Sequence, residues 1–135
     1  MSEKQIEVLV VEPDHAAEIR RIDASLESYQ SMVGGYIEAI YPFDDPVALI
    51  CNEEGKLRGL ELNRALRDGE GKVEDIIQGT FFLCGIGEEK FESLPKELQG
   101  KYLRMFHDPE LFTLIEGEIV VIPVHLEDDS TDTSL

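Results

Sequence analysis

The residue types that most often carry out chemistry are few in this chain, and their spacing gives them no common role. Three histidines, His15, His107 and His125, show neither His-x-His nor His-x-x-x-His spacing, so we expect no metal site. Cys51 and Cys84 lie in the apolar runs VALIC and TFFLC, which is typical of buried thiols that act as small hydrophobes. No serine or cysteine has an evident base partner. The sequence therefore predicts no catalytic residue, no metal and no cofactor.

Two glycine motifs resemble phosphate-binding loops but lack essential positions. Gly71-Lys72 is followed by Val73, where a P-loop needs a serine or threonine to hold magnesium. Gly85-Ile-Gly87 lacks the third glycine of a dinucleotide fingerprint. Together with the missing nucleophile, these departures favour a protein that is not an enzyme.

One segment stands out as a candidate ligand site. Residues 53–72 contain five acids and five bases, whereas the rest of the chain carries the whole excess of negative charge. Arginine suits planar or phosphate groups, and a helical turn capped by Asn63 would put Arg64 and Arg67 on one face. The simpler alternative is that these bases only neutralise neighbouring acids. The predicted ligand-binding residues are Tyr36, Glu38, Asn52, Asn63, Arg64 and Arg67.

Charge restricts the class of partner. The chain of 135 residues has 12 lysines and arginines against 29 acids, a net charge of −17. Such a surface repels nucleic acid and membranes and attracts basic protein grooves. No apolar stretch approaches the roughly 20 residues that span a bilayer, and the N-terminal apolar run is too short for a signal peptide. We therefore expect a cytoplasmic protein with a protein partner, or with a small anionic ligand.

Hydrophobic patterns predict six or seven strands and two helices. The strands are expected at 6–11, 17–22, 36–41, 47–51, within 75–87, and at 117–124. Asp23 or Ser25 should cap the first helix, which Gly34 ends. Ser93 should cap the second, with Pro95 in its first turn.

Strands in runs, without βαβ alternation, favour an α+β fold. We expect a single domain over residues 1–125, with a mixed or largely antiparallel sheet of about six strands and two helices. The segment KLRGLELNRALRD, residues 56–68, is ambiguous, and we expect a short strand followed by one helical turn that Asn63 caps. Residues 126–135 are acidic and nearly free of apolar side chains, which predicts a disordered tail.

Several segments together resemble a known family. They are VLVVEP (8–13), IDASLES (22–28), GGYIEAIYPFDDPVALICNEEGKL (34–57), LNRALRD (62–68) and IIQGTFFLCGIGEE (76–89). The chain resembles an uncharacterised domain-of-unknown-function family carried on conjugative transposons, plasmids and phages of gut Firmicutes. Glu61 departs from the proline expected in many relatives. The resemblance supplies no substrate, cofactor or catalytic residue.

Three functions follow from these observations. The first is a non-enzymatic accessory protein of a mobile element, an interaction module whose acidic surface engages a host defence or transfer protein, in one version as a DNA mimic. The second is a small-molecule or nucleotide-binding domain that uses residues 36–67. The third, an enzyme, is the least favoured because no nucleophile, metal set or base cluster is found.

Overall fold

The computed structural model describes residues 4–126 and shows an α+β fold. The strands are β1 (Gln5–Val11), β2 (Glu18–Asp23), β3 (Ile37–Ile40), β4 (Val47–Asn52), β5 (Leu62–Arg67), β6 (Val73–Gln78), β7 (Phe81–Ile86), β8 (Phe91–Glu92), β9 (Glu110–Ile115) and β10 (Glu118–Pro123). The helices are α1 (Leu26–Val33) and α2 (Lys96–Phe106). The predicted tail falls, apart from Leu126, outside the described residues. Within those residues, no helix is long and apolar enough to cross a membrane.

The central sheet has six strands in the order β2-β1-β7-β4-β3, with β8 paired to β7. The hairpins β5–β6 and β9–β10 form two further sheets, and every strand pair in the described residues is antiparallel. The predicted α+β class, its two helices and the largely antiparallel pairing are therefore confirmed. The expected single sheet matches only the central one, because the two hairpins pair separately.

The central sheet is buried on both faces, which explains its continuous apolar runs. All six residues of β4 are buried, and side chains of successive residues point to opposite faces. Leu49 belongs to the cluster that includes Tyr102 and Phe106 of α2, whereas Ile50 belongs to the cluster that includes Tyr29 of α1. The β5–β6 hairpin adds Leu66 and Ile77 to the α2 side of the sheet. The fold is thus three-layered, with α1 on one face and α2 with the β5–β6 hairpin on the other.

The sequence predicted both ends of α1 correctly, but not the residue that caps α2. Ser25 caps α1, since its hydroxyl accepts a hydrogen bond from the Ser28 N–H at 3.1 Å. Gly34 ends the helix with a φ of 81°, as the glycine pair predicted. The prediction for Ser93 was wrong, because its hydroxyl accepts a hydrogen bond from the Glu7 N–H and α2 has no side-chain cap.

Three segments differ from the sequence-based prediction. Residues 62–67 form strand β5, so Asn63 caps no helical turn. Gly79, with a φ of 84°, lies in the connection between two strands, β6 and β7, whereas a single strand was predicted within 75–87. Strand β9 was missed, and it completes a C-terminal hairpin whose turn places Glu116 and Gly117 at φ values of 53° and 83°. Two positive φ values are typical of a type I′ hairpin turn.

The loop between β3 and β4 is held to α2 by Asp45, and this contact makes stability depend on pH. Its Oδ2 accepts hydrogen bonds from Lys101 Nζ at 2.6 Å and from the Tyr102 hydroxyl at 2.7 Å. These two bonds lower the pKa of Asp45 below its ordinary value. A carboxylate with a lowered folded-state pKa stabilises the fold above its unfolded pKa, and this contribution disappears as the pH falls through the folded value.

We therefore expect Asp45→Asn to lower the melting temperature at pH 7, and the difference from wild type to shrink below about pH 4. Thermal melts followed by circular dichroism across this range measure the effect. Asp44→Asn is the matched control, because Asp44 is exposed and should leave the melting temperature nearly unchanged. An equal loss for Asp45→Asn at every pH would contradict the ion-pair explanation.

Candidate functional site

Asn63 and Arg64, two of the predicted ligand-binding residues, form a buried polar network. Both side chains lie on β5 and are 1% exposed. The Asn63 amide donates to the carbonyls of Val11 and Gly79 at 2.9 and 2.8 Å, and its Oδ1 accepts from Arg64 Nη1 at 2.9 Å. Arg64 Nε donates to the Phe106 carbonyl at 3.1 Å, and Nη2 donates to the His15 carbonyl at 2.7 Å.

This network ties five parts of the chain together. It joins β5 to the end of β1, to the β1–β2 turn, to the β6–β7 connection and to the last turn of α2. The Phe106 carbonyl belongs to the negative end of the α2 dipole, which favours a cation. Burial lowers the pKa of Arg64, an effect that nearby Glu110, Asp108 and Asp14 oppose. An arginine so enclosed is a structural tie, and its donors are directed to the protein's own carbonyls.

Asn52, at the end of β4, has a comparable local role. Its amide donates to the Val33 carbonyl at 3.1 Å, and its Oδ1 accepts from the Glu54 N–H at 2.8 Å. It thereby joins the end of α1 to the turn that follows β4. A Cβ on Gly35 would lie 2.9 Å from the Asn52 amide nitrogen, so a larger residue there would push against this hydrogen-bonded amide.

Glu38 and Asn52 line one groove, which lies between β3, β4 and β6 and has a volume of about 270 Å³. Its walls are formed by Glu38, Ile40, Cys51, Asn52, Glu53, Gly55, Lys56, Leu57, Asp75, Ile76, Ile77 and Gln78. Lys56 Nζ pairs with Asp75 Oδ1 at 2.5 Å on one side. We call this the β4–β6 groove. Three carboxylates against one ammonium give it a negative character, and its other walls are mainly apolar.

The groove contains a thiol, but not a reactive one. Cys51 is buried, and burial together with the charges of Glu38 and Asp75 raises its pKa to about 11. Burial raises the pKa of Cys84 to about 12. Since the thiolate is the nucleophile, burial and the raised pKa both disfavour nucleophilic chemistry at either cysteine. Within residues 4–126, no group of three or more histidine, cysteine or acidic side chains is placed to hold a metal ion.

The six predicted ligand residues therefore do not form a single pocket. Tyr36 is exposed and contributes its carbonyl, which accepts from the Glu53 N–H at 2.8 Å. Arg67 lies at the end of β5 and reaches Glu110 at 3.4 Å. Arg64 and Arg67 do not share a helical face, because they lie on a strand and only Arg64 is buried. Whether Glu38 and Asn52 bind a ligand stays a prediction.

None of the predicted ligand-binding residues lies on the C-terminal hairpin, residues 110–123. We call it the hairpin arm. Six of the exposed large apolar side chains lie on it or directly after it: Leu111, Leu114, Ile115, Ile119, Ile122 and Leu126. Its signal in the sequence is the run ELFTLI before GEIVVIPV, two apolar segments separated by Glu116 and Gly117.

The arm is held at its base. Glu110 Oε1 accepts a hydrogen bond from the Ala65 N–H at 2.8 Å, and the Val124 N–H donates to the Pro109 carbonyl at 2.8 Å. Asp108 contacts Nδ1 of both His107 and His125, at 2.7 and 2.8 Å. These contacts fix both ends of the hairpin beside α2 and β5.

Comparison with known proteins gives one family. The model of the family described as "Domain of unknown function (DUF3846)" matches residues 6–107, and the chain belongs to this family. No curated protein and no solved structure matches the chain. The matched region contains the central sheet, both helices and the β4–β6 groove, and it ends before the hairpin arm. The resemblance to an uncharacterised family is thus confirmed, whereas its link to mobile elements stays a prediction.

A substitution at Arg64 tests whether this side chain stabilises the fold or is free to bind a ligand. Arg64→Met keeps much of the side-chain volume but leaves the carbonyls of Phe106 and His15 without a donor. Because hydrogen bonds to charged groups contribute about 1.5–3 kcal/mol each, we expect a loss of about 3 kcal/mol or more in the free energy of unfolding. Urea denaturation measures it.

Arg67→Met is the matched control, since Arg67 is more exposed and forms only a long ion pair. It should cost less than about 1 kcal/mol. Equal small losses for both variants would show that Arg64 is not a structural tie.

Proposed function

We propose that this member of the DUF3846 family is a non-enzymatic accessory protein that binds a basic protein partner through its acidic surface. The observation that supports it best is the distribution of charge. Arg64 is the only charged residue buried among the described residues, so every described acid lies at least partly at the surface. Within this part of the chain, the acids paired with lysine or arginine are Glu7, Glu12, Glu18, Asp45, Asp75 and Glu110.

Most of the described acids therefore have no lysine or arginine partner among residues 4–126. Their summed field attracts a positively charged surface and speeds its association. The two thiols, which are the strongest nucleophiles in the sequence, are buried and protonated. These features support a binding protein over an enzyme.

The resemblance to mobile-element families supports a partner from the host's defence or DNA-transfer machinery. A protein that binds DNA carries a basic face for the phosphate backbone, and an acidic protein can occupy that face in place of DNA. In this version of the proposal the protein acts as a DNA mimic. Addition of duplex DNA would then displace it from the partner.

The charge hypothesis is tested with the complex purified from the native host and identified by native mass spectrometry. Glu74, Glu88 and Glu89 are exposed and form no ion pair among the described residues. Changing all three to glutamine should weaken the complex about threefold or more at low salt, and less at high salt.

The same three positions changed to aspartate provide the control, because charge is kept while the side chains shorten. This variant should bind as wild type does. A complex whose affinity depends neither on salt nor on the three charges would overturn the proposed electrostatic recognition.

A second function, binding of a small molecule, is supported by the meeting of Glu38 and Asn52 in the β4–β6 groove. The sequence predicted an anionic ligand, but Glu38, Glu53 and Asp75 outnumber Lys56 there. We therefore propose a ligand with an ammonium group and a short apolar body. Such a ligand would place its charge beside the carboxylates and its body against Ile40 and Leu57.

Native mass spectrometry of the gently purified protein should then show an added small mass that Glu38→Gln reduces. Glu97→Gln, on the exposed side of α2, is the control and should keep that mass. If the added mass is equal in all three proteins, the groove is not the binding site.

A further inference from the structure

We propose that the hairpin arm is the docking element of the protein, and that it inserts into an apolar cleft rimmed by lysine or arginine on the partner. This inference rests on the proposed function and names the surface that it uses. Four features of the arm support it: two apolar faces, separation from the core clusters, unpaired strand edges and negative charge.

Both faces of the arm are apolar. In an antiparallel pair, directly opposed residues point to the same face. Leu114 opposes Ile119 on one face, and Leu111 opposes Ile122 on the other. Leu114 is 69% exposed and Ile119 is 52% exposed. A hairpin with one face to water should alternate apolar and polar residues, so this pattern fits an element that is covered on both sides.

The arm's side chains are not part of the protein's own core. Neither cluster of buried apolar residues contains a residue of the arm. Its anchors, Glu110 and the Pro109–Val124 hydrogen bond, lie at its base, and the family match ends at residue 107. A two-stranded hairpin alone is marginally stable in water. The apolar tip would therefore gain stability mainly from a surface that the described residues do not supply.

The strand edges of the arm are also available. Among the described residues, β9 and β10 pair only with each other as strands. An unpaired edge can accept a further strand by backbone hydrogen bonding. Pro123 blocks this at the end of β10 only, since it has no N–H.

Charge selects the kind of partner. No lysine or arginine follows Arg104 in the sequence, and Glu116 and Glu118 stand at the tip of the arm. In a second copy of this chain, acids would face acids, which is unfavourable. A partner that combines an apolar cleft with surrounding lysines or arginines is complementary both to the apolar faces and to the acidic tip.

The test uses NMR titration of the ¹⁵N-labelled full chain with a short peptide of alternating valine and lysine. We expect chemical-shift changes confined to residues 110–123, loss of binding at high salt, and no binding of a matched peptide of alternating valine and glutamate. Leu114→Thr with Ile119→Thr should weaken binding about tenfold or more, without lowering the melting temperature. Leu26→Thr, which alters a side chain on α1 that is 57% exposed, should bind as wild type.

The other outcomes separate the two proposals. Shifts on the acidic surface outside the arm, unaffected by the double substitution, would overturn the docking role and leave the proposed function standing. Absence of any binding at low salt would count against both. A dimer at micromolar concentration that the double substitution dissociates would show that a second copy covers the arm, and would overturn the basic partner.

Discussion

The fold depends on one buried arginine. Arg64 has no carboxylate in direct contact among the described residues, and its guanidinium is held by the carbonyls of His15 and Phe106 and by Asn63. Because a buried charge is costly unless its donors are satisfied, these partners must stay in place together. The same contacts fix the end of α2, from which the chain passes through Asp108 to the hairpin arm. Arg64 thus helps to hold the hairpin arm in position, although Arg64 itself lies on β5.

Because Arg64 is the only charged residue buried among the described residues, the described acids lie at least partly at the surface. The central sheet is buried on both faces by apolar residues, and the polar groups inside it are bonded to backbone. Most of the described acids therefore have no lysine or arginine partner among the described residues and lie at least partly in solvent. In the proposed complex, the acidic surface would attract the partner over a distance and the exposed apolar faces of the hairpin arm would contact it. The β4–β6 groove is a smaller and separate opportunity for binding.

Sequence patterns predicted the elements whose signals are local or continuous. The run VALIC predicted β4, and the glycine pair after Val33 predicted the end of α1. Residues 62–67 were harder, because leucine, arginine and alanine favour helices, whereas packing against β6 forms a strand. No sequence pattern predicts that an arginine is buried, since arginine is nearly always exposed. Glu38 and Asn52 were predicted as ligand-binding residues, and both line the β4–β6 groove. Lys56 and Asp75 also line this groove, but only the tertiary structure brings them there.

The central claim is that the hairpin arm contacts a basic protein. Site-specific photo-crosslinking in the native host tests it directly, with a photoreactive residue at position 114 and a control at position 26. Position 114 should crosslink to a segment of another protein in which apolar residues lie beside lysines or arginines, and position 26 should not. Crosslinks from 114 to a second copy of this chain, or equal yields at both positions, would contradict it.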